Sequence, residues 1–494
     1  MDTHDAAVEN VAKSVRLFHA TQRPFRVYHG STNSTRASAR RADNTVDTSK
    51  LTNVLQVDPE RKVALVEPNV PMNVLVEATL KSGLVPLVVM EFPNITVGGG
   101  FSGSSGESSS FRHGPFDSTI NSIEIVLPNG EIQHASKTAK PDLFWGAASG
   151  FGTLGVVTLL EVQLRDAHQY VELTYQTFPS VAAASASMQE EAHESSVDYL
   201  DGIVYSPSRA VVCTGRLVSE VPKPAKALHF TRRKDPWFYL HVDKRTKKAR
   251  DRVTDYIHLT DYLFRYDRGG FWVAKYAFKY FFTPFNRVTR SALDRYMRAK
   301  VMYAALHKSQ LADDYIVQDV GVPYDKVGEF QEWLDINLRT YPLWLCPLRV
   351  RRDAPDSQYG LHAGFSDPET PEHLMNFGIW RPGSTNHDVF LRQNRDLEIK
   401  VHELGGKKWL YAHAYYTEEE FWAAYDRESY DALRRRYSAA YLPSVYDKVK
   451  VNSAEDSKKK PLRGIRPLQG LYGVYRAWKG GDYLLAKGST QWQQ

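Results

Sequence analysis

The first third of the chain alternates two hydrophobic periods. Val8, Val11, Ala12, Val15 and Leu17-Phe18 recur at helical spacing and predict a helix over 6–21, after which Pro24-Phe25-Arg26-Val27-Tyr28 reads as a strand. Residues 51–57 and 63–66 form a strand pair around Asp58-Pro59, and the amphipathic stretch 71–82 stops at Gly83, a helix with its stop signal. Residues 122–127, the turn Pro128-Asn129-Gly130 and residues 131–134 carry a hairpin signature. A short helix is predicted over 142–148, and 156–164, β-branched and partly alternating, closes the region as a strand near Asp166.

Between these elements the pattern breaks. Residues 96–114 read Thr-Val-Gly-Gly-Gly-Phe-Ser-Gly-Ser-Ser-Gly-Glu-Ser-Ser-Ser-Phe-Arg-His-Gly, too rich in glycine and serine for a regular element. Phe101, Glu107, Phe111 and Arg112 interrupt the low complexity, so a bare linker is the poorer reading. A loop of this kind lets backbone N–H groups approach an anion or a flat polar ring. Two G-x-G-x-x-G matches, Gly98–Gly103 and Gly150–Gly155, fail as Rossmann fingerprints: neither is followed by a helix, and Val156 onward is a strand. The polar turn 29–36 at the end of the first strand offers further small donors.

With 494 residues, 42% of them hydrophobic, the chain has room for two or three domains. A net charge of +6 leaves nucleic-acid binding dependent on a local patch, and no nucleic-acid partner is expected. Cys213 and Cys346, each in an apolar run, read as buried thiols of a reducing compartment, and no metal is expected. No apolar stretch is long enough to span a bilayer and no signal-peptide pattern is seen, so the expected address is intracellular, cytoplasmic or peripheral to a membrane. The basic stretch 223–252, followed by aromatics from 256 to 285, suits an anionic membrane surface, and the interleaving alone would also suit RNA. The tail 450–494 repeats the basic and aromatic theme.

The order of motifs carries a resemblance. The turn 29–36, Thr96-Val97-Gly98-Gly99-Gly100, Asp142-Leu143-Phe144-Trp145 and Gly152-Thr153-Leu154-Gly155-Val156 together resemble the FAD-binding domain of the vanillyl-alcohol-oxidase/PCMH flavoenzymes. Within that superfamily the chain is similar to the Δ24-sterol reductases (the DIMINUTO/seladin family). The stretches that carry this are Glu107-Ser108-Ser109-Ser110, Gly202-Ile203-Val204-Tyr205-Ser206, Pro236-Trp237-Phe238, Val317-Gln318-Asp319, 341–347, Leu410-Tyr411-Ala412, Glu420-Phe421-Trp422 and Val445-Tyr446-Asp447-Lys448. The implied fold class is α+β, a two-lobed FAD-binding PCMH-type domain (1–166) plus an α/β cap or substrate domain (167–404). A C-terminal segment (405–449) returns to the flavin, and the tail 450–494 has no counterpart.

The resemblance implies FAD held by His29, Gly30, Ser31, Thr32, Asn33 and Ser34, and by Thr96, Val97, Gly98, Gly99, Ser102, Gly103, Ser104, Gly106, Glu107 and Ser108. Gly152, Thr153, Gly155 and Val156 join them at the adenine or ribitol side, with Glu91 at the border of the glycine stretch. Non-covalent FAD is expected, His29 and His113 being the nearby candidates for a covalent link. Glu91 and Glu107 either satisfy backbone N–H groups or pair with Arg112, or else touch the flavin. On the predicted strand 314–323, adjacent Gln318 and Asp319 must be satisfied or face a cavity. A second strand predicted over 409–416 would point His413, Tyr411 or Tyr415 at the ring. The activity implied is reduction of a carbon–carbon double bond in a sterol or terpenoid-like lipid with NADPH, at the endoplasmic reticulum face, with peripheral membrane contact through 223–285. An isolated alkene needs a positioned acid, and Asp319, His413, Gln318 and Tyr411 are the candidates for the catalytic set. An FAD oxidase or dehydrogenase of an alcohol, sugar or lactone is the alternative, and a binding protein without catalysis a third.

Overall fold

The computed structural model describes residues 2–28, 41–249, 251–309, 311–354, 356–451 and 468–479. The helix Asp2–Ala20 buries Ala7, Val8, Val11, Ala12 and Val15 against Phe25, Val46, Val126, Leu154 and Val156. The strand read over 24–28 contracts to Arg26–Val27, paired in parallel with Thr45–Val46. Beside it stands an antiparallel sheet in the order Val54–Asp58, Val63–Val66, Val156–Asp166, Ile120–Val126, Ile132–Ser136. Leu84–Pro86 pairs with the far end of Val156–Asp166. The hairpin forms as expected, with Gly130 at φ +86°.

The glycine-rich stretch is not an open loop. Its first half is a short helix, Val97–Gly103, whose N-cap Thr96 accepts the Gly99 N–H through its side chain. Glycine is required there by packing: a Cβ at Gly98 would lie 2.6 Å from Pro68 Cβ, and one at Gly100 would lie 2.4 Å from Met90 Cε. These partners are distant in sequence, which is why the local pattern misreads the segment.

The second lobe is a nine-stranded sheet ordered Ala227–Leu228, Val253–His258, Tyr170–Phe178, Arg209–Val218, Tyr199–Ser206, Leu343–Arg349, His373–Pro382, Tyr315–Val322, Lys407–Lys408. One face, with Leu200, Leu345, Phe377, Ile379 and Val320, is covered by the helices Val181–His193, Val327–Asn337 and His387–Glu403. The other face, with Trp344, Cys346 and Trp380, joins the core of the first lobe. The architecture is α+β, as expected. Cys213 and Cys346 are free and buried.

The strand predicted over 409–416 is corrected. Lys407–Lys408 pairs opposite Gly321 and Val320; Trp409 N–H then donates to Asp319 O at 3.0 Å and the chain turns away, with a single parallel bridge from Ala414 to Lys450 further on. Two side-chain anchors fix that departure. Trp409 Nε1 donates to Asn376 Oδ1, and the buried Lys408 ammonium binds Glu398 and the His413 carbonyl. Further on, Leu433, Ala439 and Leu442 pack on the first lobe, and Tyr437 OH donates to Asp142 Oδ2.

Candidate active site

Three backbone segments converge at one end of the first lobe. Phe151 N–H donates to Ser102 O and Ser149 N–H to Phe101 O, tying the turn 149–155 to the helix Val97–Gly103. Gly152 has φ +67°, and a Cβ there would lie 3.8 Å from Lys448 Nζ and 3.9 Å from Val27 Cγ2. Val27 stands just before His29, Gly30, Ser31, Thr32, Asn33 and Ser34, all of which lie outside the described residues. Lys448 Nζ donates to Phe151 O and Gly152 O, and Arg26 is close enough to feel Asp447. Small residues, a left-handed glycine and a cation thus surround one place, a donor set that fits the diphosphate of an FAD.

The individual candidates differ in what they have left to offer. Val97 N–H is taken by Val70 O, Gly98 N–H by Pro68 O and Gly99 N–H by Thr96 Oγ1, so the helix start is satisfied from within. The open part is its other end. Ser104 closes the helix at φ +57°, a Cβ at Gly103 would meet nothing within 4 Å, and Ser104 Oγ lies 3.5 Å from the buried His362 Nε2. Beside it the buried His362 Nδ1 has no partner among the described residues. Gly106 packs against Leu348, Gly155 (φ +146°) lets Val126 O approach, Thr153 Oγ1 bonds Gly150 O, and Val156 enters the core.

At the seam between the lobes lies a cluster of buried acids. Glu107 Oε2 accepts the Ser108 N–H, and its Oε1 lies 3.7 Å from Arg265 Nη1, so the partner is Arg265 and not Arg112. Arg112 instead donates to the Glu194 and Val197 carbonyls. Arg265, stacked 4.0 Å over Tyr262, also donates to Asp201 Oδ2 at 2.9 Å. Tyr266 OH and Trp344 Nε1 complete the Asp201 shell. Burial drives the Glu107 carboxyl above its usual range, and Arg265 only partly offsets it. The half-buried Glu91 is pushed well up by its surroundings, then by Glu107 and Asp319.

Asp319 is the cap's contribution. The two-residue period of its strand turns Asp319 toward the first lobe and Gln318 toward the helix His387–Glu403. Asp319 accepts from Asn376 Nδ2 (2.9 Å), Trp380 Nε1 (2.9 Å) and Tyr411 OH. Burial outweighs these three bonds and raises its pKa to about 7. Tyr411 therefore joins Asp319 although it sits on a turn. Gln318 binds Asn394 Oδ1 and the His413 carbonyl on the other side of the strand, so neither Gln318 nor His413 is brought to Asp319. His113, considered for a flavin link, has its pKa lowered to about 4 by burial and then by Arg165 and Arg112.

Sequence reasoning missed Asn376, Trp380, Asp201, Arg265 and Lys448. Asp201 had a readable signal, a carboxylate inside the apolar strand Tyr199–Ser206, the same signal that marked Asp319. The others are brought to the site by partners more than fifty residues away.

Residues 6–136 match the family described as an FAD binding domain. The chain is 28% identical over 413 residues to the Delta(24)-sterol reductase of Homo sapiens, covering 81% of this chain and 76% of that protein. It is 29% identical over 438 residues to the Delta(24)-sterol reductase of Pisum sativum, covering 82% of this chain and 76% of that protein. A shorter match, 31% over 162 residues, links 32% of this chain to 30% of cytokinin dehydrogenase 4 of Oryza sativa subsp. japonica. The resemblance read from the motifs is borne out.

Proposed function

From an FAD-dependent oxidoreductase similar to the Δ24-sterol reductases as premise, we propose that the chain reduces an isolated carbon–carbon double bond in a sterol or terpenoid-like lipid, with NADPH as donor. FAD, bound non-covalently by 29–34, by the 102–108 end of the glycine stretch and by 152–156 with Lys448 beside them, supplies the hydride chemistry. The protein supplies the proton. An alkene carbon is a poor base, so the acid must be held at the site and still be protonated near neutrality. Asp319 meets both conditions: three donors fix its carboxyl, and burial raises it to about 7. That is the observation carrying the reading. Tyr411, hydrogen-bonded to Asp319 Oδ2, orients the acid, and the aromatic walls Trp344 and Trp380 exclude water from it. A peripheral position at a membrane, where such a lipid resides, belongs to the same reading; no described helix is long and apolar enough to cross one.

The test is anaerobic. NADPH should bleach the yellow protein, and a Δ24-unsaturated sterol should restore the colour with formation of the saturated product. Asp319→Asn should keep the bleaching and lower the product-forming step by roughly 10²-fold or more. Failure of NADPH to bleach, together with rapid flavin reduction by an alcohol, sugar or lactone and reoxidation by oxygen, would establish the oxidase reading instead.

A further inference from the structure

Nine large hydrophobic side chains are exposed among the described residues, and five of them fall on two neighbouring segments: Phe282, Val288, Leu471, Tyr472 and Tyr475. The fold brings these segments together. The helix Leu468–Lys479 lies on the helix Ala299–Ser309 and on the end of Ala274–Tyr280. A Cβ at Gly470 would meet Tyr280 and Phe281 at 2.6 and 2.7 Å, and one at Gly473 would meet Ala305 O at 2.5 Å. Tyr280 and Phe281 are therefore covered, while the next residue, Phe282, stands 85% exposed. Its backbone is at φ +52°, a conformation that disfavours a bulky residue, so the outward ring is held against local preference.

Charge singles out the same face. Residues 274–309 contain eight Lys and Arg against one acidic residue, Asp294, in a chain whose whole net charge is +6. Asp294 is buried and already paired with Arg268 and Arg298. Lys275, Lys279, Arg287 and Arg295 are exposed and form no ion pair among the described residues. In the basic run 223–252, Arg245 and His241 are matched by Asp255 and Arg252 by Glu191, and among the described residues no large exposed hydrophobic side chain accompanies the remaining cations.

We infer that this face, residues 274–295 with the helix Leu468–Lys479, docks on an anionic lipid bilayer. Cations interleaved with protruding aromatic and aliphatic side chains suit the headgroup and acyl boundary together. Val288 and Leu471 offer no stacking surface to a nucleic-acid base, which disfavours RNA. The helix Ala299–Ser309 beneath Leu468–Lys479 also carries Tyr303, whose hydroxyl is buried in the field of Asp319 and Glu91, so this helix links the docking face to the acid cluster. The docking deepens the membrane position named with the sterol reading, and because it is measured without substrate its failure leaves the sterol chemistry standing.

The holoprotein is sedimented with vesicles of phosphatidylcholine alone and of phosphatidylcholine with phosphatidylserine, at low and high salt. Binding to the phosphatidylserine vesicles that weakens with salt is expected, and each of Lys275→Glu, Lys279→Glu and Arg287→Glu should lower it by roughly five-fold or more. Phe282→Asp should weaken it at every salt concentration, while flavin absorbance and circular dichroism stay those of the parent protein. No binding to either vesicle, equal binding by parent and variants, or binding only to RNA or to an acidic protein overturns the inference.

Discussion

Asp319 shows what one residue in an apolar strand reveals. Two adjacent polar side chains on 314–323 had to be satisfied or to face a cavity, and the structure divides them: Gln318 donates to Asn394 but leaves its Oε1 without a partner among the described residues, and Asp319, at the seam, accepts from Asn376, Trp380 and Tyr411. Which of the two is which follows from the register of the sheet, and register is set by the pairing of Asp319 with Gly378, not by the local sequence. The raised carboxyl has a stability consequence of definite sign. Its native pKa of about 7 exceeds the ordinary 3.8, so the folded state keeps a proton that the unfolded chain has released. Stability is therefore highest below about pH 4 as far as this group is concerned, falls as pH rises toward 7, and is level above it. Asp319→Asn removes that dependence. In FAD-free protein, the variant should gain on the parent progressively between about pH 4 and pH 7, by at most about 4 kcal/mol, read as the difference between the two denaturation midpoints. Glu107 titrates upward for the same reason but is present in both proteins, so the difference isolates Asp319. A constant offset at all pH values would show that the native carboxyl is not raised.

Among the elements, the hairpin, the helix Asp2–Ala20 and the strand Val156–Asp166 were legible because each carries its own period and its own stop signal. The glycine stretch and 409–416 were not, for opposite reasons. Composition made Val97–Gly103 look too flexible for a helix, yet its glycines admit Pro68, Met90 and Phe116 at distances no side chain allows. The residues 409–416 have a strand's composition, but Trp409 and Lys408 are tied to Asn376 and Glu398, which pull the chain out of the sheet. The helix reading makes its own prediction. In Gly98→Ala the new methyl would face Pro68 Cβ at 2.6 Å and the fixed Pro68 carbonyl at 3.0 Å, so overpacking should cost about 1–3 kcal/mol. Gly103→Ala, with nothing within 4 Å, should leave apo stability within about 0.5 kcal/mol. Thermal melts of the two FAD-free variants separate a packed helix from a flexible loop, since a loop would tolerate both.

At the scale of the whole molecule, the segment that the sequence marked for the cofactor is also the joint between the lobes. Leu200 N–H donates to Ser108 O, Ser108 Oγ meets Tyr262 OH at 3.2 Å, and His373 Nε2 lies 2.8 Å from Phe111 O. The α+β class was readable from the motifs, but this joint was not, because composition cannot show that Ser108 binds the cap while Ser109 and Ser110 bond within the first lobe. Arg265 is its centre, 1% exposed and shared between Asp201 of the cap sheet and Glu107 of the first lobe. Removing one member of a buried ion pair strands the other, at about 3–5 kcal/mol, whereas replacing both by apolar groups is often close to neutral. Arg265→Met should therefore lower stability by about that amount and lift the Glu107 carboxyl further, since Arg265 is what now holds it down. The double change Arg265→Met with Asp201→Leu should recover only part of the loss, because it leaves Tyr266 OH and Trp344 Nε1 without their acceptor and Glu107 without its cation. Because the joint couples the lobes, far-ultraviolet dichroism and tryptophan fluorescence should report one urea transition in the parent and two in Arg265→Met, fluorescence following the cap through Trp344 and Trp380. Coincident transitions in that variant would mean that the lobes are held together elsewhere, and that the acid cluster is a consequence of their union and not its cause.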